Sequence, residues 1–527
     1  MDRNVVDLPT QLPELAITQE GFDAPSPQLL LLNDELASQL GLSPQWLRSD
    51  AGLKFLTGHG ADDGAYSGAD TSPSVGTYET PVATAYAGHQ FGNFAGLLGD
   101  GRALLLATVS AEPGLTGLPD QENTRTQAYE IQAKGTGPTP FSRGGDGKAT
   151  LSSALREYLI SEAMFALGIP TTRALAVIST GEHIYRGSQT PFDNTNPTSE
   201  LQPGGIVVRV ASSHLRVGTF ELVARSAQST DIMARLIEFA AKRHGYKSSA
   251  ESVLRAVVKR QANLVAAWLA CGFVHGVMNT DNASIAGETI DFGPCAFLDV
   301  HDPRAVFSSI DRGGRYAYGA QPTIAGWNMA RLAETLLPHF ESSPDAAMAR
   351  ARDIIGTFAD DFTDSLSRRW LPKLGIFPSL YDDPLAIPLV QRWQSLLTKF
   401  GLDHTNAHRA LIDVLTSGDV AALAALSDNP EFPAAAAEWV QLWQRTREEL
   451  QIEQEAARAL MEQTNPLYIP RNHLVTEALA AATEGDMGLY QRLLAAVTNP
   501  FKPQEAPAKF TQPAPMELGG FHSYCGT

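Results

Sequence analysis

The sequence predicts an α+β fold of two lobes with a largely α-helical C-terminal extension, and three observations predict it. A long amphipathic helix is followed by a cluster of polar side chains: His275, Asp281, Asn282 and Asp291. A glycine-rich turn precedes a group of strands, one of which ends in Lys134. Beyond residue 326, apolar residues recur at helical spacing almost throughout. This order of segments is that of a protein kinase, so we expect a bilobal protein-kinase-like fold.

The length of 527 residues allows about three domains or one large two-lobed unit with additions. We predict an N-terminal extension over residues 1–80 and a nucleotide-binding and catalytic core over 81–325. A helical C-terminal region is predicted over 326–499, and a tail with few core residues over 500–527.

Composition excludes several classes of function. Forty basic and 58 acidic residues give a net charge of −18, which argues against a nucleic-acid surface. No apolar run approaches the roughly 20 residues that cross a bilayer, so no membrane association is expected. Three cysteines fit a reducing compartment, and the N-terminus lacks the features of a signal or transit peptide. We therefore expect a cytoplasmic protein, with a monomer favoured although the sequence does not determine the oligomeric state.

The N-terminal part combines a strand and short helix over 29–42 with a loop over 68–80. Five glycines then occur between Gly88 and Gly101, and a strand is predicted over 103–109. Glycines let backbone N–H groups approach phosphate oxygens, although Gly99 and Gly101 taken alone are more typical of a plain β-turn. Arg102 directly after them favours an anion-binding turn.

A strand over 128–134 alternates cleanly and ends in Lys134, after a connector over 110–126. A helix is predicted from about Thr150, and it carries Glu157 beside an apolar stripe. A single strand-end lysine is usually solvated. A strand lysine paired with a glutamate of the following helix, however, is how kinases orient a nucleotide phosphate.

Further along the chain, a strand over 174–179 and a polar loop over 188–203 precede an apolar strand that contains Arg209. A buried arginine is costly unless it meets an anion or a carboxylate, so Arg209 is either a ligand-binding residue or part of a structural ion pair. The same two roles are expected for Arg216, for which the sequence gives weaker support.

Two amphipathic helices, over 231–244 and 251–271, lead to Gly272, which is expected to end the second helix. A loop, a strand over 283–285, a turn at Gly287 and a strand ending at Asp291 are predicted next. The carboxamide of Asn282 and the carboxylate of Asp291 would then hold one hard cation. The alternative is a polar turn with a helix cap, since Asp281 directly precedes Asn282 here whereas kinases separate the two residues.

After Pro294 the chain is loop-like over 302–321. The C-terminal helices are predicted over 327–340, 345–371, 385–400, 406–415 and 434–463. A polar turn is predicted over 465–473.

Several motifs together resemble the selenoprotein O family between about residues 80 and 475. They begin at Tyr86 (YAGHQFG), Leu98 (LGDGR), Lys134 (KGTG), Phe141 (FSRGGDG), Gly276 (GVMNTDN), Asp291 (DFGP) and Asn465 (NPLYIPRNH), with Arg209 and Arg216 between them. The resemblance implies a kinase-like fold that binds ATP in a flipped orientation. It implies transfer of AMP to hydroxyl side chains of proteins.

The resemblance also implies a role for each matching residue. Those that would contact ATP are Gly99, Gly101, Arg102, Lys134, Asp146, Gly147, Arg209, Arg216 and Asp291. Glu157 would orient Lys134, Asn282 and Asp291 would bind Mg²⁺ or Mn²⁺, and Asp281 would be the catalytic base. An ordinary phosphotransferase and a non-catalytic nucleotide-binding pseudokinase scaffold are the alternatives.

This chain departs from the family pattern at two places outside the predicted site. The 110–126 connector is longer than usual for the family. Many relatives carry a cysteine after Asp-Phe-Gly, where this chain has Ser308 and Ser309, so a redox control built on that cysteine is not expected. Cys525 occupies the place of the family's selenocysteine or cysteine, as either a redox contact of the tail or an unpaired terminal thiol.

Overall fold

A large antiparallel sheet in the first half of the chain and a set of helices that packs beside it form the fold. The computed structural model describes residues 7–60, 75–118, 126–188, 198–340, 342–518 and 520–523. The strands are β1 (Ala16–Thr18), β2 (Gln28–Leu32), β3 (Val75–Thr84), β4 (His89–Gln90), β5 (Asn93–Phe94), β6 (Ala103–Ala111), β7 (Gln127–Lys134), β8 (Ala149–Thr150), β9 (Arg173–Ser188), β10 (Thr198–Ala211), β11 (Phe273–Val274) and β12 (Ala296–Phe297).

Within the main sheet the strands run in the order β1-β3-β6-β7-β10-β9-β2, with β8 paired to β10. Lys134 pairs with Ala103 of β6 and Val207 of β10, and Gln132 pairs with Arg209. The predicted alternation along β7 is confirmed on its apolar side, where Tyr129, Ile131 and Ala133 enter a hydrophobic core. Its polar side chains are buried too, because that face of the sheet lies against the helices and not in water.

The helices in the described part of the chain begin with short segments, and the longest, α10, has 30 residues. They are α1 (Leu8–Gln11), α2 (Asp34–Gln39), α3 (Pro44–Leu47), α4 (Asp50–Leu56), α5 (Leu151–Ala166), α6 (Val217–Ala224), α7 (Ser229–His244), α8 (Ala250–Cys271), α9 (Gln321–Leu336), α10 (Pro344–Lys373), α11 (Ala386–Phe400), α12 (Asn406–Ser417), α13 (Ala421–Ala424), α14 (Phe432–Glu449), α15 (Gln454–Thr464), α16 (Asn472–Thr483) and α17 (Gly488–Val497). None of the helices described is long and apolar enough to cross a membrane.

Three hydrophobic cores hold these elements together. One lies between the sheet and α2–α4. The central core joins α5 to α7, α8, α9, α16 and α17, and the third joins the end of α10 to α11–α15. The Tyr490 hydroxyl of α17 donates a 2.8 Å hydrogen bond to the Leu155 carbonyl of α5. The last helices therefore return to the helix that carries Glu157.

Most predicted elements are confirmed, including the mixture of strands and helices. Helix α8 ends at Gly272, whose left-handed conformation (φ 76°) is the usual geometry of a glycine helix stop. Thr150 caps α5 by accepting a hydrogen bond from the Ser153 N–H. The kinase-like arrangement of the lobes stays a prediction.

The predicted strands over 283–285 and ending at Asp291 are wrong. Only isolated bridges occur there, from Ser284 to Arg216 and from Thr289 to Thr171. The short hairpin in this region is β11 with β12, which flanks the segment on both sides. Ala283 and Ile285 are buried in the central core, so their hydrophobicity reflects burial and not membership of a sheet.

Three other element boundaries also differ from prediction. Strand β3 begins at Val75, inside the predicted 68–80 loop, and β10 begins at Thr198, inside the predicted 188–203 loop. The helix predicted over 434–463 is two helices, since Gln451 has a left-handed backbone (φ 55°) between α14 and α15. The tail contributes Phe510, which is 1% exposed, to the central core. Parts of the predicted loops and of the 110–126 connector, together with Cys525, lie outside the described residues.

Candidate active site

A cleft of about 1100 Å³ opens between the sheet and the helical part of the chain. All the residues that the sequence singled out for nucleotide, metal or proton chemistry line it: Gly99, Gly101, Arg102, Lys134, Asp146, Gly147, Glu157, Arg209, Arg216, Asp281, Asn282 and Asp291. Its volume slightly exceeds the range typical of ligand sites, roughly 300–1000 Å³. The fold thus brings these residues together, while their contacts with a ligand stay a prediction.

An ion-pair network lies at the floor of the cleft. The Lys134 ammonium is 2.8 Å from a Glu157 carboxylate oxygen and 2.6 Å from Oδ1 of Asp291. The Arg209 guanidinium contacts the same two carboxylates at 2.9 and 2.7 Å. The predicted pairing of the strand lysine with the helix glutamate is therefore present in the structure. It holds the ammonium in one orientation, where an unpaired lysine would sample many.

Asp291 is the acceptor shared by three cations, because Arg216 also contacts its Oδ2 at 2.7 Å. Its backbone is left-handed (φ 62°), a strained conformation for a residue with a side chain. Burial alone would raise the pKa of Asp291, but Lys134, Arg209 and Arg216 outweigh it and hold that pKa well below its ordinary value. The carboxylate therefore stays ionised at neutral pH.

Two further residues belong to this network and were not predicted from the sequence. The Gln132 carboxamide oxygen accepts from Nε and Nη2 of Arg209 at 2.9 and 2.6 Å, and its amide donates to Asp100 at 3.2 Å. Asp100 also accepts from the Thr84 backbone and hydroxyl. Gln132 lies on the same strand face as Lys134, so the alternation of β7 was the signal that could have found it.

Close packing requires glycine at two positions in the turns of the cleft. At Gly99 (φ 81°) an added Cβ would be 2.5 Å from the Phe141 ring, and at Gly147 (φ 67°) it would be 2.1 Å from the Gly137 carbonyl. The turns over 99–102 and 137–147 thus pack on each other along one wall. Within the described part of the chain, Arg102 beside them forms no ion pair, which leaves its charge available to a ligand.

Asp146 lies at the rim of the cleft and already has a cationic partner. Arg186 of β9 contacts its two carboxylate oxygens at 2.7 and 2.8 Å. The hydrogen bond from Arg186 holds the pKa of Asp146 below its ordinary value. A negative charge paired in this way adds little repulsion towards an anionic ligand.

Asp281 lies on a 3₁₀ turn over Thr280–Asn282 and is 8% exposed. Arg216 donates to its backbone carbonyl at 2.6 Å, and Gln90 donates to its Oδ2 at 3.1 Å. Its other oxygen, Oδ1, is buried without a hydrogen-bond partner among the described residues. Burial raises the pKa of Asp281 above its ordinary value. Asp281 lines the cleft, where a carboxylate can accept a proton from a bound hydroxyl.

The residues present fit a divalent cation in their donor chemistry. Asn282 donates its amide to the Val277 carbonyl at 3.0 Å, which leaves its carboxamide oxygen for a ligand. Asp291 uses three of about four lone-pair positions, so it can bind one more partner. No cluster of three or more His, Cys, Asp or Glu suited to a metal occurs in the described residues. Mg²⁺ commonly binds one or two protein side chains and completes its shell with water and phosphates.

His275 has a structural place beside the cleft. Its Nε2 is 2.9 Å from the Ile290 carbonyl, its backbone N–H donates to Gln321 at 3.0 Å, and it is 1% exposed. Burial lowers the pKa of His275, so the ring is neutral at pH 7. It ties the loop that carries Asp281 to the segment that leads into Asp291.

The first part of the glycine-rich stretch, which begins at Gly88, forms the hairpin of β4 with β5. Phe91 of this hairpin donates its backbone N–H to the Asn279 side chain at 3.1 Å, and His89 donates to Thr280 at 2.6 Å. The hairpin therefore packs on the loop that carries Asp281.

The electrostatics of the cleft favour a multiply charged anion. Lys134, Arg209 and Arg216 together carry one more charge than Asp291 and Glu157, and Arg102 adds a further unpaired cation on the wall. Cations held rigidly in a partly buried cleft bind phosphate oxygens with little loss of conformational entropy. With a carboxylate beside them, these cations suit an enzyme that acts on a phosphate-bearing substrate.

Comparison with known proteins then identifies the family. Residues 14–498 match the family model described as protein adenylyltransferase SelO, and the chain belongs to this family. Curated relatives named protein nucleotidyltransferase YdiU share 44% identity over 523 residues in Mycobacterium sp. (strain KMS), covering 98% of each chain. The relative of the same name in Bacillus mycoides shares 42% over 508 residues, covering 95% of this chain and 93% of its own. The protein is accordingly an enzyme of the nucleotidyltransferase class.

Proposed function

We propose that this enzyme transfers AMP from ATP to Ser, Thr or Tyr hydroxyls of proteins and releases pyrophosphate. The observation that carries the proposal is the arrangement of Lys134, Arg209 and Arg216 around Asp291 in the cleft, with Asp281 on the adjoining loop. Protein hydroxyls are the acceptors that the family resemblance implies. The Lys134–Glu157 pair, between a strand of an antiparallel sheet and the next long helix, supports a kinase-like catalytic core.

The charges in the cleft suit attack at the innermost phosphorus. When an acceptor oxygen attacks the α-phosphorus, the bond to the bridging oxygen breaks and pyrophosphate leaves with most of the negative charge. Fixed cations beside the leaving group stabilise that charge as it develops. An arginine in such a position contributes about 10³–10⁵ in rate to phosphoryl transfer. Lys134, Arg209 and Arg216 would supply this stabilisation, and Arg102 would hold the outer phosphates.

Asp281 is the base that we assign to the acceptor hydroxyl. Asp281 lines the cleft, and its carboxylate would take the proton that the hydroxyl loses. Arg216 and Gln90 hold the residue in place through its carbonyl and its Oδ2. A positioned base typically contributes about 10²–10⁴ in rate.

Asn282 and Asp291 would hold Mg²⁺ or Mn²⁺, since both have an oxygen with free capacity next to the cation cluster. Such an ion, when bound, supplies neutralisation of phosphate charge and alignment of the triphosphate. Asp291 would then share its carboxylate between the ion and the three side chains that already bind it.

Intact-mass and peptide mass spectrometry of acceptor proteins incubated with the enzyme, ATP and Mg²⁺ or Mn²⁺ tests the proposal. An AMP increment on a Ser, Thr or Tyr is the expected result. A phosphate increment would instead show a phosphotransferase, and no increment with retained nucleotide binding would show a pseudokinase scaffold. Either of those results overturns the proposal. Labelling of a cell lysate with α-labelled ATP would then identify the acceptors.

A further inference from the structure

The hairpin over residues 88–94 spans from the sheet part of the chain to the loop that carries Asp281. Its two strands pair His89 with Phe94 and Gln90 with Asn93. We propose that this hairpin positions the Asp281 carboxylate for the acceptor hydroxyl, with Gln90 as the residue that fixes its orientation. The inference rests on the proposed function, and it adds a positioning element to the assigned base.

Gln90 is the direct contact between the hairpin and the base. Its amide donates to Oδ2 of Asp281 at 3.1 Å, while Oδ1 has no partner among the described residues. A carboxylate can rotate about its last torsion, which is broad for Asp. A donor fixed on one oxygen restricts this rotation and sets the orientation in which the carboxylate meets an acceptor hydroxyl. Gln90 lines the same cleft as Asp281, so its amide is close to where an acceptor would enter.

Two buried groups hold the hairpin in register with the loop. Glu221 of α6, which is 1% exposed, contacts Nδ1 of His89 and accepts a 2.5 Å hydrogen bond from the Thr280 hydroxyl. The same hydroxyl accepts the His89 backbone N–H at 2.6 Å. Because Thr280 precedes Asp281, these contacts among His89, Glu221 and Thr280 fix the backbone from which the carboxylate projects.

The tip of the hairpin is anchored to the segment that follows the Asp-Phe-Gly motif. The Phe91 N–H donates to both Asn279 and the Tyr316 hydroxyl at 3.1 Å, and these two side chains share a 2.6 Å hydrogen bond. Phe91 has a left-handed backbone (φ 50°), a strained conformation that such contacts must maintain. Strain of this kind concentrates at sites where position matters for chemistry.

Close contact explains why residue 88 is a glycine. A Cβ added there would be 2.6 Å from Oδ1 of Asp281 and 2.9 Å from its Cβ. Any larger residue would push the Asp281 carboxylate out of its present position. The hairpin therefore contacts Asp281 from two sides, with Gly88 beside Oδ1 and Gln90 on Oδ2.

The test is a double-substitution cycle between Gln90→Leu, which keeps the size but removes the donor, and Asp281→Asn, which removes the base. We expect Gln90→Leu alone to lower kcat by about 5- to 50-fold, part of the roughly 10²–10⁴ that a positioned base supplies. The KM for nucleotide should change less than about twofold. In the Asp281→Asn background, Gln90→Leu should leave the residual rate unchanged within about twofold.

A merely structural role for Gln90 predicts different results. Gln90→Leu would then lower kcat equally in the wild-type and Asp281→Asn backgrounds, or raise the nucleotide KM. Either outcome overturns the inference. Asn93→Ala is the matched control, since Asn93 lies opposite Gln90 in the same hairpin and is exposed. It should keep the wild-type kcat. An equal loss of kcat in Asn93→Ala would show that hairpin stability, and not the contact to Asp281, is what matters.

If the wild-type chain transfers no AMP, the proposed function is refuted. The contact between Gln90 and Asp281 is not refuted by that result. The Tm values at pH 7 of the wild type, Gln90→Leu, Asp281→Asn and the double variant then provide the same double-substitution cycle. A coupling between the two substitutions supports the Gln90–Asp281 interaction, and strictly additive shifts in Tm overturn it.

Discussion

Asp291 has more cationic partners than any other carboxylate described in the cleft, and a single substitution there should have the largest effect. Asp291→Ala removes a proposed metal ligand and leaves Lys134, Arg209 and Arg216 to repel one another. We expect it to abolish transfer, measured as protein labelling from α-labelled ATP. Lys134→Met should be nearly as severe. Asp281→Ala should retain more activity, because a base contributes less than the phosphate-binding charges.

The matched control for these variants is Asp302→Ala. Asp302 follows the same segment but is 40% exposed, and its one ion pair within the described ranges is with the solvent-exposed Arg304, an interaction of little energetic weight. It should label acceptors at the wild-type rate. Undiminished labelling by Asp291→Ala would refute the assignment of the site.

Glu288 is a buried carboxyl near the cleft that the proposed reaction does not use. Both of its oxygens accept the Ser212 N–H at 3.2 Å, and burial raises its pKa to about 7. The folded chain therefore holds a proton that the unfolded chain releases from about pH 4.5 upward. Since the native state binds more protons in this range, stability falls as the pH rises through about 7.

Glu288→Gln should remove this pH dependence, because a carboxamide resembles the protonated acid and can still accept the Ser212 N–H. At pH 5 the variant and wild type should have similar stability. At pH 8 the variant should be more stable, by at most roughly 3 kcal/mol. Denaturant unfolding at the two pH values measures the difference. An identical loss of stability in both proteins between pH 5 and 8 would contradict the assignment to Glu288.

At the scale of elements, Arg471 connects three parts of the chain. It is 1% exposed and contacts Asp299 at 2.5 Å, shortly after the Asp-Phe-Gly motif, and Asp403 at 2.6 Å, just before α12. It also donates to the Thr511 carbonyl of the tail at 3.3 Å. The segment predicted as a polar turn is thus a buried ionic junction.

Arg471→Met should destabilise the protein by about 3–5 kcal/mol, because it leaves two buried or half-buried carboxylates without their shared cation. The expected readout is a lower Tm together with a lower denaturant midpoint. Arg458→Met is the control: Arg458 pairs with Glu462 on the exposed face of α15 and should change stability by less than about 1 kcal/mol. Equal stability of the two variants would contradict a structural role for the Arg471 junction.

The helices show how well local patterns predict elements. The apolar spacing in α8, its Ser249 cap and the glycine at its end all operate within a few residues, so the sequence predicts this helix closely. The segment over 283–291 does not form strands, because its partners are distant loops and not a sheet edge. The single helix predicted over 434–463 is interrupted where the chain turns to cover the third core. Such outcomes depend on neighbours that are remote in sequence.

At the scale of the whole molecule, the surplus of positive charge in the cleft should couple ligand binding to stability. A non-hydrolysable ATP analogue with Mg²⁺ is expected to raise the Tm. At 100 times its Kd the stabilisation amounts to about 2.7 kcal/mol. The shift should weaken as salt is added, since ionic screening reduces phosphate binding.

Lys134→Met should lose most of this ligand-induced shift, whereas Lys54→Met on the exposed side of α4 should retain it. Differential scanning fluorimetry of the three proteins with and without the analogue makes the comparison. A shift in Lys134→Met as large as in the wild type would show that the nucleotide binds elsewhere.

The sequence by itself determined the residue types at the site, the strand and helix that carry Lys134 and Glu157, and the family resemblance. These depend on local periodicity and on motifs that are short in sequence. Only the tertiary structure decided that Asp291 collects three cations, that Gln132 and Asp100 extend this network, and that the 88–94 hairpin contacts Asp281. These contacts join residues up to about 190 positions apart, and pairings over such distances follow from how the sheet and helices pack, which local patterns do not encode.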